Sequence, residues 1–205
     1  MIMPIIPSSL EALIIFIRNP ELGKVKTRLA GSVGDEKALE IYKALLKHTR
    51  ETVLELKVDR LLFYADVVNR GDEWNNNLFL KMAQVGDELG DRMFHAFLTA
   101  LETHEKAVLV GSDIPQINAQ IIEEAFQQLD NHPFVIGPAL DGGYYLLGMR
   151  SPANELFDNM EWSTPHVFDQ TVERIKRMEK SWHELPVLSD VDYLEDWEKY
   201  GWLLP

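Results

Sequence analysis

The sequence of 205 residues contains no cysteine and few basic residues. Without cysteine, the chain can have no disulfide scaffold, no thiolate zinc site and no cysteine nucleophile. Its 20 lysines and arginines stand against 33 aspartates and glutamates, so the formal net charge is −13 at pH 7. Because such a field repels polyanions, we expect no binding to nucleic acid or to anionic membrane surfaces.

Long hydrophobic runs are also missing from the sequence. The longest uncharged apolar run, residues 12–17, is far shorter than the roughly 20 residues that span a bilayer. The first ten residues, MIMPIIPSSL, carry no basic residue and are interrupted by two prolines, so they do not have the pattern of a signal peptide. We therefore expect a cytoplasmic protein without a membrane span.

Two common hydrolase motifs do not occur either. None of the six histidines belongs to an HExxH pair, and there is no GxSxG sequence, so zinc-protease and α/β-hydrolase activities have no support. What the sequence does have is the composition of an ordinary folded protein, with 46% hydrophobic and 26% charged residues. A chain of this length fits one domain, which we place at residues 1–205.

Short apolar runs alternate with helical periodicity along the chain. The runs predict strands at residues 13–17, 61–65, 107–110, 134–136 and 144–147. The periodicity predicts helices from residue 35 to about residue 53 and at residues 89–101, 117–129 and 167–178. Such alternation indicates an α/β fold with a mostly parallel sheet. Ligands of these sheets bind beyond the carboxyl ends of the strands, so the segments after each strand are where chemistry should be sought.

A basic segment, GKVKTRLA, follows the first predicted strand. Gly23 lets the backbone approach a ligand, and Lys24, Lys26, Thr27 and Arg28 offer the cations and hydroxyl that phosphate oxygens bind. The segment is not a Walker loop, because GxxxxGK[ST] does not occur. The residues alone leave two interpretations open: a phosphate site at Gly23, Lys24, Lys26, Thr27 and Arg28, or a solvated basic turn.

Asp113, in the segment GSDIP, comes directly after another buried strand. A carboxylate in this position faces the ligand crevice, where Mg²⁺ or Mn²⁺ can be bound by one or two carboxylates and diphosphate oxygens. The alternative is that Asp113 only caps the turn or helix that follows.

The segment DGGYY lies between two predicted strands and contains Asp141. A tight turn explains the two glycines, but it does not explain the aromatic pair Tyr144 and Tyr145. One of these tyrosines could line a pocket while its neighbour faces the core. We predict that Asp141 orients or deprotonates a hydroxyl group of a bound molecule.

Three segments that follow strands, RNPELGKVKTRLAG, GSDIPQ and GPALDGGYYLLGM, and the segment LPVLSDVDYLED near the C-terminus together resemble the DUF2064 family of predicted glycosyltransferases. The resemblance extends from about residue 13 to residue 197. It implies a GT-A-like fold of the nucleotide-diphospho-sugar transferases, a three-layer sandwich with a mostly parallel mixed sheet. The Lys-Thr-Arg stretch is also similar to the nucleotide-phosphate loop of guanylyltransferases that act on phospholactate.

The resemblance implies further site residues. GT-A enzymes often carry a DxD sequence where this chain has Gly111 and Asp113, so a second metal ligand must come from elsewhere. In nucleotidyltransferases of similar fold, a late Asp-Thr pair supplies it. Asp192 matches that aspartate, although Tyr193 replaces the threonine, and Asp190 is a poorer candidate. The competing interpretation makes Asp192 the N-cap of a helix.

Two more segments resemble family motifs. The segment QVGDELGDRM begins a predicted helix, whose N-terminus suits phosphate or nucleotide; its matching residues are Gln84, Gly86, Asp87, Gly90 and Arg92. Asp87 could equally cap that helix. The segment Trp162-Ser163-Thr164 also matches, but before Pro165 it could be an ordinary helix start.

The resemblance and the residues together favour a metal-dependent glycosyltransferase, with a nucleotide-diphospho-sugar donor and a small-molecule acceptor. Asp113 and Asp192 would hold the Mg²⁺ or Mn²⁺ ion, and Asp113 and Asp141 would act in catalysis. A nucleotidyltransferase, which joins a nucleotide from a nucleoside triphosphate to a phosphorylated or carboxylated acceptor, is the first alternative. The second is a nucleotide-binding module without catalysis.

Overall fold

The computed structural model describes residues 8–204. Residues 1–7, which belong to the segment tested above for a signal peptide, and residue 205 lie outside the described part. The elements in chain order are β1 (Glu11–Ile17), α1 (Thr27–Val33), α2 (Asp35–Leu54), β2 (Asp59–Tyr64), β3 (Leu80–Ala83), α3 (Leu89–Leu101), β4 (Lys106–Val110), α4 (Ala119–Gln128), β5 (Phe134–Pro138), β6 (Tyr144–Met149), a short 3₁₀ turn (Asn154–Leu156), α5 (Val167–Arg177), β7 (Trp182–Glu184) and α6 (Leu194–Tyr200).

The strands form one seven-stranded mixed sheet in the order β3-β2-β1-β4-β6-β5-β7. The pairs β3–β2, β2–β1, β1–β4 and β5–β7 are parallel, and β6 is antiparallel to both of its neighbours, β4 and β5. Because β6 runs backwards, its first residue, Tyr144, lies at the same edge of the sheet as the carboxyl ends of β4 and β5. That edge therefore receives segments from distant parts of the chain.

Helices cover both faces of the sheet and make three layers. One hydrophobic core contains residues of α2 and α4, and the other contains residues of α3 and α5. Successive residues of β1 alternate between them, with Leu13 and Ile15 in the first core and Ala12 and Ile14 in the second. Since both faces are covered, β1 is a continuous apolar run rather than an alternating one. The three-layer α/β sandwich predicted above is confirmed.

The five strands and four helices predicted from the sequence are all present, with ends within two residues of those observed. Three further elements, α1, β3 and β7, were not predicted, and a helix near α6 appeared only in the alternative interpretation of Asp192. The basic segment after β1 is not all loop, since α1 begins at Thr27. Strand β7 has only three residues, and β3 carries a buried lysine at its second position, so neither has an apolar pattern.

A buried polar network holds the connection between β2 and β3. The Lys81 side chain is fully buried, and its Nζ lies 2.6 Å from Asp72 Oδ1 and 2.9 Å from the Asn69 carbonyl oxygen. The Tyr64 hydroxyl donates to Asp72 Oδ2 at 2.6 Å. Burial first, and then the Asp72 carboxylate, raise the pKa of Tyr64 well above its usual range. The network fixes residues 65–79 on the edge of the sheet.

Within residues 8–204, no helix is both long enough and apolar enough to cross a membrane.

Candidate functional site

A cleft of about 680 Å³ opens at the carboxyl edge of the central strands. Its walls come from the segments after β1, β3, β4 and β5, from residues 162–167, and from the segment before α6. Eight of the ten residues predicted as site residues line it: Lys24, Lys26, Thr27, Arg28, Arg92, Asp113, Asp141 and Asp192. The structure thus brings together side chains that lie far apart in the sequence.

The other two predicted residues, Gly23 and Gly86, are not among the residues that line the cleft. Both have positive φ, 73° at Gly23 and 133° at Gly86, a conformation that favours glycine. A Cβ atom on Gly86 would lie 2.5 Å from the Asp91 Cβ, and the Gly86 carbonyl accepts a hydrogen bond from Arg92 Nε at 3.0 Å. Gly86 therefore supports a cleft residue through the backbone.

Lys26 lies in the middle of the charged half of the cleft. It is the N-cap of α1, and its left-handed backbone (φ 47°, ψ 46°) costs a residue with a Cβ roughly 1–2 kcal/mol. Its Nζ lies 2.8 Å from Asp113 Oδ2 and 3.2 Å from Asp192 Oδ1, with 8% of the side chain exposed. Burial lowers the pKa of Lys26, but Asp113 and Asp192 together raise it above its usual value, so the ammonium stays charged.

The remaining cations of the basic segment are more open to solvent. Arg28 Nη1 lies 2.8 Å from Asp192 Oδ2, and 61% of its side chain is exposed. Lys24 is exposed and pairs with Glu21 at 2.5 Å. The alternative of a solvated basic turn therefore describes Lys24 but not Lys26, which is buried against two carboxylates.

The capping alternatives for the two aspartates do not describe their side-chain contacts. Asp113 binds Lys26 through its carboxylate, and its carbonyl accepts a hydrogen bond from Val191 N at 3.1 Å. The interpretation of Asp192 as an N-cap is wrong, because α6 is capped by Tyr193. Asp196 Oδ2 accepts from the backbone N–H groups of Asp192 and Tyr193 at 3.1 and 2.8 Å. The Asp192 carboxylate therefore remains directed at Lys26 and Arg28.

Five aspartates line this cleft: Asp87, Asp113, Asp141, Asp190 and Asp192. Oxygen donors of this kind suit Mg²⁺ and Mn²⁺, so the donor set fits such a cation in kind. Lys26 and Arg28, however, already engage three of the carboxylate oxygens. Within residues 8–204, no group of three or more histidine, aspartate or glutamate side chains is arranged as metal ligands would be.

Asp190 is a carboxyl group of the cleft whose surroundings oppose its ionisation. Burial, and then the charges of Asp113, Asp141 and Asp192, raise the pKa of Asp190 to about 7. The neighbouring aspartates therefore oppose ionisation of Asp190, whereas Lys26 favours it. Sequence reasoning treated Asp190 as a poorer candidate than Asp192, because its burial cannot be read from the sequence.

This raised pKa predicts a pH-dependent stability. A carboxyl group whose pKa is higher in the folded than in the unfolded protein stabilises the fold while protonated, and this contribution is lost as pH rises from about 4 to about 7. Asp190→Asn should therefore be more stable than the wild type at about pH 8.5. Solvent screening of a partly exposed group limits the gain between pH 5 and pH 8.5 to about 1–2 kcal/mol.

Urea unfolding at the two pH values, in the presence of a chelator, measures this difference. The exposed Asp158→Asn variant is the control, and its stability relative to the wild type should not change with pH. If the stability of Asp190→Asn relative to the wild type were no greater at pH 8.5 than at pH 5, Asp190 would have an ordinary pKa.

The other half of the cleft is aromatic. The ring centroids of Tyr144 and Trp162 lie 6.5 Å apart in an edge-to-face arrangement, and burial raises the pKa of Tyr144 well above its usual range. Both Tyr144 and Tyr145 line the cleft, although only one was expected to. Tyr145 is buried and donates its hydroxyl to the Pro186 carbonyl at 2.9 Å.

Asp141 lies between the two halves, in a turn fixed by its glycines. Its Oδ1 accepts a hydrogen bond from Gly143 N at 2.9 Å, as the structural alternative for this segment requires. Gly142 has φ 89°, and a Cβ atom there would lie 2.1 Å from the Pro165 carbonyl oxygen. The turn is thus packed tightly against the segment that leads into α5, which holds the Asp141 carboxylate at the cleft.

The segments QVGDELGDRM and WST meet in the structure. Gly90 is buried under Trp162, and a Cβ atom on Gly90 would lie 2.7 Å from Trp162 Nε1. The N-cap of α3 is Glu88 rather than Asp87, so the capping alternative for Asp87 is wrong. Several further residues of these segments line the cleft: Gln84, Asp87, Ser163 and Thr164.

Several other lining residues were not identified from the sequence, among them Phe16, Tyr42, Leu89 and Met93. Each of these four lies on a strand or helix, where its periodic spacing indicated a core position. Tyr42 shows why the signal was missed, since it is buried on α2 yet its hydroxyl binds the backbone of Arg18 at the cleft (2.9 and 3.1 Å). The hydrophobic pattern of α2 places the Tyr42 ring in the core but does not indicate where its hydroxyl group lies.

Two proteins with different reactions share this fold. One is a CMP:2-keto-3-deoxy-manno-octonic acid synthetase complexed with CTP, with 12% identity, a TM-score of 0.57, and coverage of 92% of this chain and 95% of that chain. The other is glucosyl-3-phosphoglycerate synthase from Mycobacterium tuberculosis, in complex with Mn²⁺, UDP and glucosyl-3-phosphoglycerate. It has 8% identity, a TM-score of 0.56, and coverage of 94% and 75%. At these identities the likeness shows the fold alone.

Two findings establish the family. Residues 48–164, more than half of the chain, match the family described as an uncharacterized protein conserved in bacteria (DUF2064). A protein from Desulfovibrio desulfuricans G20, provisionally named a nucleotide-diphospho-sugar transferase, has 34% identity and a TM-score of 0.84, with 90% of this chain and 83% of that chain covered. No curated protein matches the chain. The chain belongs to the DUF2064 family, and fold and family place it among the transferases.

Proposed function

We propose that this protein transfers a sugar from a nucleotide-diphospho-sugar to a small-molecule acceptor, with Mg²⁺ or Mn²⁺ as cofactor and residues 1–205 as one catalytic domain. The observation that carries the proposal is the construction of the cleft. A cation-rich segment after β1 faces carboxylates after β4 and before α6, and an aromatic half adjoins them. One half suits a diphosphate with its cation, and the other suits the uncharged groups that react.

The charged half would bind the diphosphate. Lys24, Thr27 and Arg28 line it at the N-terminus of α1, and a phosphate oxygen can accept hydrogen bonds from all three side chains. Arg28 is well placed because more than half of its side chain is exposed. Asp113 and Asp192 would hold the divalent cation, which when bound neutralises the charge that develops on the departing diphosphate.

The aromatic half would bind the acceptor. Tyr144 and Trp162 form a wall there, which suits the apolar face of a small molecule. The hydrogen bond from Gly143 N orients Asp141 and leaves Oδ2 free to accept the proton of an acceptor hydroxyl. The acceptor oxygen would then form a bond to the anomeric carbon of the sugar as the bond to the diphosphate oxygen breaks.

Nucleotidyl transfer is the second candidate, and the basic segment favours it. Lys24, Lys26 and Arg28 supply three positive charges, more than a diphosphate bound to a divalent cation needs. A nucleoside triphosphate would use all three. In that reaction the acceptor attacks the α-phosphorus, and pyrophosphate leaves instead of a nucleoside diphosphate.

The leaving group distinguishes the candidates. A thermal-shift screen of nucleoside di- and triphosphates and nucleotide-sugars, with and without Mn²⁺, would first identify the donor. Binding at a hundred times Kd adds about 2.7 kcal/mol of stability. With that donor and a panel of small hydroxyl-bearing acceptors, we expect nucleoside diphosphate as the product on chromatography. Release of pyrophosphate in step with triphosphate consumption would establish nucleotidyl transfer instead. Binding without any turnover would favour a nucleotide-binding module.

A further inference from the structure

The space between Asp113 and Asp192 is filled by an ammonium group that belongs to the chain. Lys26 Nζ bridges Asp113 Oδ2 and Asp192 Oδ1, and Arg28 Nη1 takes the other oxygen of Asp192 at 2.8 Å. The Lys26 side chain is 8% exposed, whereas about a third of each carboxylate is exposed. The lysine therefore lies beneath the carboxylates rather than beside them.

This arrangement conflicts with a divalent cation bound at the same two carboxylates. A cation there would need the oxygens that Lys26 already engages, and two positive charges at such short range repel each other strongly. Oxygens that hold an ammonium group are also not placed to surround a metal ion, and residues 8–204 contain no group of three or more histidine, aspartate or glutamate side chains arranged to hold one. Either no cation binds at these carboxylates, or Lys26 moves.

Lys26 has features that permit movement. Its side chain is a flexible four-carbon stem with a point charge at its end, and it lines a cleft large enough to receive it elsewhere. Its left-handed backbone is an unfavourable conformation for a lysine, and the ion pairs with Asp113 and Asp192 offset that cost.

We propose that Lys26 is a displaceable internal cation: in the ligand-free protein it occupies the Asp113–Asp192 pair, and a divalent cation binds there only as the ammonium leaves for the adjoining phosphate region. This inference rests on the proposed function, because it assigns phosphate to the basic segment. The displacement predicts that the metal ion binds weakly by itself and more tightly when a phosphate ligand is present to pair with the released ammonium. By linkage, the metal ion increases the affinity for phosphate by the same factor.

Calorimetric titration of the whole protein with Mn²⁺ alone, without nucleotide, tests the displacement. Lys26→Gln removes the competing charge and should bind Mn²⁺ at least about tenfold more tightly than the wild type. Lys24→Gln makes the same change of formal charge at a side chain paired with Glu21, and Lys26→Arg keeps a cation between the carboxylates. Both controls should bind Mn²⁺ within about threefold of the wild type. The charge of Lys24 is exposed and therefore screened by solvent, and the cation of Lys26→Arg still competes with the metal ion.

A second measurement follows the Lys26 ammonium in the wild type, and a variant serves only to assign its signal. The buried, ion-paired ammonium of Lys26 should give its own ¹⁵N-detected NMR signal, assigned by its loss in Lys26→Gln or, if that variant does not fold, in Lys26→Arg. Diamagnetic Mg²⁺ should remove or strongly shift this signal at saturation. Retention of an unchanged signal under saturating Mg²⁺ would overturn the proposal.

The outcomes separate this inference from the proposed function. If Lys26→Gln binds Mn²⁺ no more tightly than the wild type while sugar transfer is observed, the inference is wrong and the transferase remains. If sugar transfer proceeds unchanged in a chelator, Lys26 is a permanent substitute for the metal, which also overturns displacement. If Lys26→Gln gains Mn²⁺ affinity but no nucleotide binds, the exchange stands and the proposed function falls.

Discussion

Asp113→Asn should reduce the rate of sugar transfer roughly a hundredfold or more, because metal-assisted charge stabilisation contributes several kcal/mol to such transition states. The substitution removes a negative charge from the pair with Asp192 but keeps the size of the side chain. Mn²⁺-dependent nucleotide affinity should fall at least about tenfold. Stability should change by no more than about 1 kcal/mol, since about a third of Asp113 is exposed and Lys26 keeps Asp192 as a partner.

Steady-state rates, calorimetry and urea unfolding together measure these effects. Asp158→Asn is the matched control, because Asp158 is exposed and is not among the residues that line the cleft. Its rates and affinities should equal those of the wild type. If Asp113→Asn retained full activity and full metal-dependent affinity, Asp113 would be no more than an ion-pair partner of Lys26.

The fold could be predicted well from the sequence because each central strand or helix has a clear hydrophobic pattern. Strand β1 is a continuous apolar run between covered faces, and α2 has buried residues at helical spacing over twenty residues. Periodicity of this length leaves little ambiguity between helix and strand. The elements that were missed have short or mixed patterns. In β3 the buried Lys81 depends on Asp72, nine residues earlier in a loop, and no local pattern reveals that pairing.

For the candidate site, the sequence predicted the location better than the contacts. The rule that ligands bind beyond the carboxyl ends of strands brought Lys26, Asp113 and Asp192 to one edge. That Lys26 would bridge the two aspartates could not be predicted, because they lie 87 and 166 residues away along the chain. The N-cap interpretation of Asp192 failed for a different, local reason: α6 starts one residue later than that interpretation required.

Substitution of Asp72 by alanine should have the largest effect on stability, a loss of about 3–5 kcal/mol. The variant leaves the fully buried Lys81 ammonium with the Asn69 carbonyl, and it removes the nearer of the two acceptors of the Tyr64 hydroxyl. A buried charge without its partner is costly because it has lost both water and the opposite charge. For a chain of this size the loss corresponds to a fall in Tm of roughly 6–20 °C.

Calorimetric and urea unfolding of Asp72→Ala, beside Asp66→Ala as an exposed substitution in the same loop, would measure this effect. The double variant Asp72→Leu/Lys81→Met, which replaces both partners with apolar groups, should recover most of the loss. A cost below about 1 kcal/mol for Asp72→Ala would mean that water reaches Lys81.

The effect of Asp72→Ala should extend to the cleft, because Gln84 N donates to the Tyr64 carbonyl at 2.9 Å and both Ala65 and Gln84 line the cleft. Nucleotide affinity should therefore fall in Asp72→Ala even at temperatures where the variant is fully folded, whereas Asp66→Ala should bind as the wild type does.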